Sequence, residues 1–321
     1  MSNSNEAQLR KTLAKIAELA GAAAGNGSYE SHEDHEHEVD ANGTVVCVPK
    51  ALPERLLLKS AQTAVEINPV NAPQRVAIGQ FAAAQVFEPA AIAVLTQKYW
   101  GPSTRRLTVS FMETTAANLR ARIVSHLNSW SKTAGISFVE TSSTGTIRIS
   151  RGGSGYWSYL GTDVLLIPKN RPTMNLQGFT MSTSESEYKR VVRHEAGHTL
   201  GMPHEHMRKA LIARIDKQKA YAYFLQTYGW DKATVDAQVL TPLDEANLMS
   251  TPPDQTSIMC YQLPGSITKD GKPILGGMDI NATDYTFAGK VYPKASASLT
   301  SESLGDDWNE SDDVEDVAYP D

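Results

Sequence analysis

Cysteine is nearly absent from this chain. Its 321 residues contain only Cys47 and Cys260, which excludes a disulfide framework and leaves at most one bridge. Long apolar runs are also missing. No stretch approaches the ~20 residues that cross a bilayer, so no membrane anchor is expected. The opening MSNSNEAQLRKTLAKIAELAGAAAG lacks a charged region leading into an apolar one, so no signal peptide and no Sec route are predicted. Basic charge is in deficit, with 30 Lys and Arg against 36 Asp and Glu. Nine of those acids follow Pro293, where Lys294 is the one base, so the rest of the chain is close to neutral. Without a basic stripe, nucleic acid is not an expected partner. Hydrophobic residues at 41% and charged residues at 21% are ordinary for a globular protein of one or two domains.

What the chain does have is His194-Glu195-Ala196-Gly197-His198-Thr199-Leu200-Gly201-Met202-Pro203-His204. His194 and His198 are four apart, so on a helix they project from one face and can grip one metal ion. Glu195 stands beside them, placed to reach a water without being a ligand. Gly201 can take the left-handed conformation that ends a helix, after which the chain turns back to deliver His204. Three imidazoles with an open fourth position make a catalytic zinc pattern, whereas structural zinc sites tend to close with cysteines. His206 is the nearest rival for the third ligand, and His204 is preferred on spacing.

These residues resemble the metzincin zinc peptidases, whose extended motif HExxHxxGxxH precedes a methionine turn. That turn has its counterpart in Ser257-Ile258-Met259-Cys260-Tyr261. Within the metzincins the chain is most similar to the astacin family, on Glu205 directly after the third histidine, Tyr261 two residues after Met259, and Arg208 shortly after Glu205. It departs from that family in Met202 for the usual Phe and Cys260 for the usual His. The usual domain disulfides cannot form with one cysteine in the region.

The resemblance implies an α+β fold. A twisted mixed sheet would carry a backing helix and an active-site helix, above a mostly irregular lower subdomain. It also implies a zinc-dependent endopeptidase acting on polypeptides. His194, His198 and His204 would hold Zn²⁺, and Glu195 would act as general base. Tyr261 would be a movable fifth ligand or an oxyanion donor, with Met259 an apolar floor beneath the metal. The rival readings are a zinc-binding recognition module without turnover and a metzincin of another branch. The resemblance implies an extracellular location, against the missing signal peptide.

Around this centre the chain divides into residues 1–97, an N-terminal prosegment or accessory region with a flexible linker; 98–294, the peptidase domain; and 295–321, an acidic tail expected to be disordered. In the first part, Glu6 to Leu19 and parts of Val76 to Gln97 are helix candidates, and Pro53 to Ile67 is a further one. His32, His35 and His37 lie in a polar acidic run that reads as a solvated segment rather than a metal site. In the second, strands are expected at Leu107–Phe111, Ile136–Glu140, Thr146–Ser150 and Val164–Ile167, and the family resemblance implies that the last lies at the sheet edge above the cleft. Gly152 to Tyr159 reads as a loop. Helices are expected from Thr115 to about Trp130, within Ala210 to Tyr228, and from Asp284 to Tyr292. Ser184 and Glu187 offer a capping box before the metal helix. Cys47 has three readings: a latency ligand laid across the metal, a packed apolar residue, or a disulfide partner of Cys260.

Overall fold

The computed structural model describes Cys47 and residues 50–72, 97–242 and 252–295. The helix candidates at Glu6 to Leu19 and Val76 to Gln97, the histidine-rich run and the acidic tail lie outside the described residues, Gln97 itself excepted.

A five-stranded sheet in the order β2-β1-β3-β5-β4 forms the upper half. β1 (Arg105–Phe111) pairs in parallel with β2 (Ile136–Glu140) and β3 (Ile147–Ser150). β5 (Met174–Leu176) follows β3 in parallel, and β4 (Tyr156–Ser158) runs antiparallel to β5 at the edge. All four residues of β3 are buried, as expected for an inner strand of a parallel array covered on both faces. The backing helix α2 (Ala117–Leu127) turns Leu119, Ile123 and Leu127 inward, at one-face spacing, and a tight turn carries the chain on to buried Trp130.

The sheet edge differs from expectation. Val164–Ile167 is not a strand: it falls in and just after a helical turn spanning Gly161–Leu166. The edge is instead Tyr156–Ser158, within the stretch that reads as a loop. A four-residue apolar run cannot be told from a buried helical segment by pattern alone. Here Val164 packs into the main core while Leu165 stays exposed, an alternation that fits a half-buried strand as well as a helical turn, so the pattern cannot decide.

α1 (Glu54–Ile67) precedes the sheet and packs on the Gly161–Leu166 turn. The contact is partly ionic. Lys98, 4% exposed, donates to Ser60 Oγ at 2.6 Å, and Ser60 donates on to Asp163 at 2.6 Å. Burial lowers the pKa of Lys98 and raises that of Asp163. Asn71 is fully buried and ties the segment down, donating to the carbonyls of Ala64 and Tyr99 and accepting from the Tyr99 N–H.

Below the sheet lies a second apolar cluster, built on α4 (Lys217–Tyr228) with Trp230, Val235, Leu263 and Ile274. α4 starts at an Asp216 cap and ends at Gly229 in the left-handed conformation, the usual asymmetry of helix ends. The last helix, α5 (Ala282–Val291), opens with a reciprocal Asn281–Asp284 capping box. The metal helix, α3 (Arg193–Thr199), packs into the main core cluster through Ala196. Among the described residues no helix is long and apolar enough to cross a membrane.

Candidate metal centre

α3 begins upstream of its regular part. Ser184 accepts a hydrogen bond from the Glu187 N–H at 3.3 Å, and a wide π-turn over Tyr188–Val192 runs straight into Arg193. Val191, Val192, Ala196 and Leu200 anchor the helix in the main core. It stops at Gly201, whose φ is +89°. A Cβ there would also stand 2.9 Å from the Lys98 carbonyl oxygen, so both backbone conformation and space require glycine. The turn returns His204 to the helix.

The three rings meet nitrogen to nitrogen. His204 Nε2 lies 3.2 Å from His194 Nε2 and 3.0 Å from His198 Nε2. His194 Nδ1 faces the Ile258 carbonyl at 2.6 Å and His198 Nδ1 faces the Met202 carbonyl at 2.8 Å. A carbonyl can only accept, so each Nδ1 carries the proton and each Nε2 presents a lone pair. Burial pulls the His194 pKa down to about 4 and those of His198 and His204 well below the usual value. The rings are therefore neutral and their Nε2 atoms converge on one point, an arrangement suited to holding a cation. The residues match the donor set of a zinc site.

Cys47 joins them. Among the described residues, its Sγ and one nitrogen from each of His194, His198 and His204 form the group that could hold a metal, all within 4.8 Å of one another. Cys47 is held there by pairing with the sheet edge. It bridges Tyr156 and Lys50 bridges Tyr159, both in parallel, and the Lys50 N–H donates to the Ser158 carbonyl at 3.3 Å. Both cysteines are free and buried, so the disulfide between Cys47 and Cys260 is not present. Cys260 belongs instead to the lower apolar cluster.

Glu195 is fully buried, and neither oxygen has a nitrogen or oxygen partner. Burial raises its pKa to about 8, opposed by the Cys47 thiol and by the charge of Arg190. The Tyr261 hydroxyl is likewise buried without such a partner, and its ring lies 4.2 Å from His204 and 4.6 Å from His206 between centroids. Both groups face Cys47, whose thiol they perturb. His206 itself turns away from the cluster and donates from Nε2 to the Gln238 carbonyl at 3.1 Å.

Met259 underlies the helix. A Cβ added at Gly197 would lie 2.3 Å from its Sδ. The turn is fastened to the third histidine, because the Glu205 N–H donates to the Met259 carbonyl at 2.8 Å. It is also fastened from below. Asp284 accepts from Ser257 Oγ at 2.6 Å and from the Ile258 and Asn281 N–H groups at 3.0 Å each. The reading of the sequence missed Asp284, whose only local signal is a helix cap. It also missed the ion pair of Glu187 and Arg190, which lines a cavity of about 520 Å³ opening from His194 and Glu195.

Three comparisons bear on this geometry. The family model described as "Astacin", a peptidase family, matches residues 94–275. Among solved structures, one of myroilysin is 34% identical over 61% of this chain and 96% of that one, with a TM-score of 0.57. High choriolytic enzyme 1, a hatching enzyme zinc-protease from Oryzias latipes (medaka fish), is 20% identical over 59% of this chain and 90% of that one, with a TM-score of 0.41. A search of curated proteins gives no match.

Proposed function

The chain belongs to the astacin family of zinc metallopeptidases, and from that premise we propose that it hydrolyses internal peptide bonds of polypeptides at the site formed by His194, Glu195, His198, His204 and Tyr261. The observation that carries this reading is the convergence of three buried Nε2 atoms, two of which present a lone pair because their Nδ1 donates to a carbonyl. His194, His198 and His204 hold Zn²⁺. When bound, the metal supplies Lewis-acid polarisation of a carbonyl and lowers the pKa of a water toward ~7.

The remaining work falls to the chain's own groups. Glu195 accepts the proton of the attacking water and returns it to the leaving amine. Neither oxygen is committed to a protein nitrogen or oxygen, so once the Cys47 thiol leaves, the carboxylate is available for that transfer. Tyr261 donates its hydroxyl to the oxyanion, or serves as a movable further ligand, since the hydroxyl is not committed to any protein nitrogen or oxygen. Met259 sets the height of the helix from below and is not a ligand.

Residues 1–97 act as a prosegment through Cys47, ahead of the peptidase region 98–294. With its Sγ among the histidine nitrogens, Cys47 takes the position that water needs and keeps the chain latent. The packed-residue reading of Cys47 has less support, because an apolar packing position does not require a thiol facing three imidazole nitrogens.

The test is Glu195→Gln in a chain that also carries Cys47→Ser. It should retain about one zinc per chain by elemental analysis and lose cleavage of a denatured protein substrate, because shape is kept and the base removed. Cleavage at the rate of Cys47→Ser alone would overturn the assignment of Glu195.

A further inference from the structure

The three metal-facing rings are not held alike. His194 and His198 each donate Nδ1–H to a backbone carbonyl, that of Ile258 and that of Met202. His204 turns Nε2 toward the other two rings, so as a neutral ligand it carries its proton on Nδ1. That Nδ1 is buried and has no partner among the described residues. Histidines that ligate a metal almost always donate their other N–H, because the bond fixes both tautomer and ring orientation. A buried donor left unmatched also costs its full desolvation. The third ligand needs an acceptor that the backbone does not supply.

One neighbour offers the complement. His206 is fully buried in the short helical turn Glu205–Met207 that follows His204. Its Nε2 donates to the Gln238 carbonyl at 3.1 Å, within the π-turn Asp236–Leu240. Burial keeps the ring neutral, drawing its pKa down to about 3, so its one proton is spent on that bond. Nδ1 is then a lone pair, and it too is buried with no partner among the described residues. An unmatched donor and an unmatched acceptor thus stand on neighbouring rings, whose centres are 5.1 Å apart and whose planes are tilted by 37°. The two nitrogens do not bond each other directly. Two hydrogen bonds of ~2.8–3.0 Å that meet at one water join groups at a separation of this scale. The Tyr261 hydroxyl is no rival acceptor, because it faces the Cys47 thiol. The Tyr261 ring packs on both histidines, 4.2 Å from His204 and 4.6 Å from His206 between centres.

We propose that His206 is the positioning residue of the third metal ligand, its Nδ1 accepting the His204 Nδ1–H through one internal water. That bridge does for His204 what the two carbonyls do for His194 and His198. It also ties the ligand to the lower half of the molecule, because the π-turn that holds His206 carries Val239 of the lower apolar cluster. The proposal rests on the reading of His204 as a zinc ligand. The rival role for His206 is to fasten the Gln238 segment and nothing more, and the two nitrogens of its ring separate the two roles.

The experiment uses the full chain carrying Cys47→Ser and Glu195→Gln, so that neither thiol ligation nor self-cleavage enters. Zinc affinity is read by competition with a chromogenic chelator, and stability by urea unfolding of the metal-free chain. In this parent, His206→Gln keeps an amide donor near the Nε2 position for Gln238 but has nothing at Nδ1. His206→Asn does the reverse and places its carbonyl oxygen at the Nδ1 position. His206→Gln should weaken zinc binding on the order of 10–100-fold, the usual effect of removing the outer hydrogen bond of a ligating histidine. His206→Asn should bind zinc close to the parent while losing stability, since the bond to Gln238 is gone. Zinc held equally by His206→Gln and the parent, or weakened at least as much by His206→Asn, overturns the proposal and leaves the peptidase reading intact. A parent that takes up no zinc overturns both. If either variant fails to fold, long-range ¹H–¹⁵N spectra of the zinc-loaded parent decide. A His206 proton on Nε2, with the His204 Nδ1–H protected from exchange, supports the assignment; a His206 proton on Nδ1 overturns it, because no acceptor is then offered to His204.

Discussion

Gly197→Ala tests whether Met259 sets the height of the metal helix. Position 197 lies inside α3, where alanine is favoured over glycine by about 1 kcal/mol. The added methyl would meet Met259 Sδ at 2.3 Å, Met259 Cε at 3.1 Å and Trp130 Cζ2 at 3.2 Å. Ordinary carbon contacts are ~3.5–4.0 Å, so the sulfur must retreat by more than an ångström. Met259 is 3% exposed and Trp130 is fully buried, which leaves little room for that movement. Overpacking of this kind costs about 1–3 kcal/mol, and the blocked retreat places it at the upper end. The expected net loss is therefore about 2 kcal/mol. Met259→Ala alone should cost about 2–5 kcal/mol as a cavity. Adding Gly197→Ala to it should then recover up to about 1 kcal/mol, because the clash with Met259 is gone, the lesser contact with Trp130 stays, and the propensity gain remains. The double-mutant cycle should show a coupling of up to about 3 kcal/mol, measured by urea unfolding in chelator so that zinc binding does not enter. A Gly197→Ala protein as stable as wild type, or one with the same loss in both backgrounds, would refute the packing argument.

Tyr261→Phe should lower kcat by no more than ~3–4 kcal/mol of barrier with zinc content unchanged; an unaltered kcat would reduce Tyr261 to a packing residue. Cys47→Ser should cleave substrate without prior processing, while the wild-type chain stays inactive until cut. Equal activity of the two from the start would show that Cys47 only packs. Asp284→Ala strips an acceptor from Ser257, Ile258 and Asn281 and should cost on the order of 3 kcal/mol in unfolding free energy. It should also weaken zinc retention under chelator challenge, because the Ile258 carbonyl that orients His194 belongs to the same turn. Stability lost without any change in zinc retention would separate the turn from the metal site.

Much of the fold and the centre is written in local order. His194 and His198 face one way because a helix repeats every ~3.6 residues, and Gly201 ends that helix because only glycine tolerates its φ and its closeness to Lys98. The strands at Arg105–Phe111, Ile136–Glu140 and Ile147–Ser150 and the helices at Glu54–Ile67 and Ala117–Leu127 announce themselves by period and by their breakers. Other features belong to the tertiary structure, because their signals are short or borrowed from distant partners. Tyr156–Ser158 is an edge strand by virtue of pairing with Met174–Leu176, and three residues carry no readable period. Asp284 reads as a cap until the fold brings Ser257 to it, 27 positions away. A lone cysteine in a short apolar run says nothing of its destination. Cys47 meets His194, His198 and His204 because the sheet edge draws its segment across them, and that encounter is decided by long-range pairing rather than by neighbouring residues.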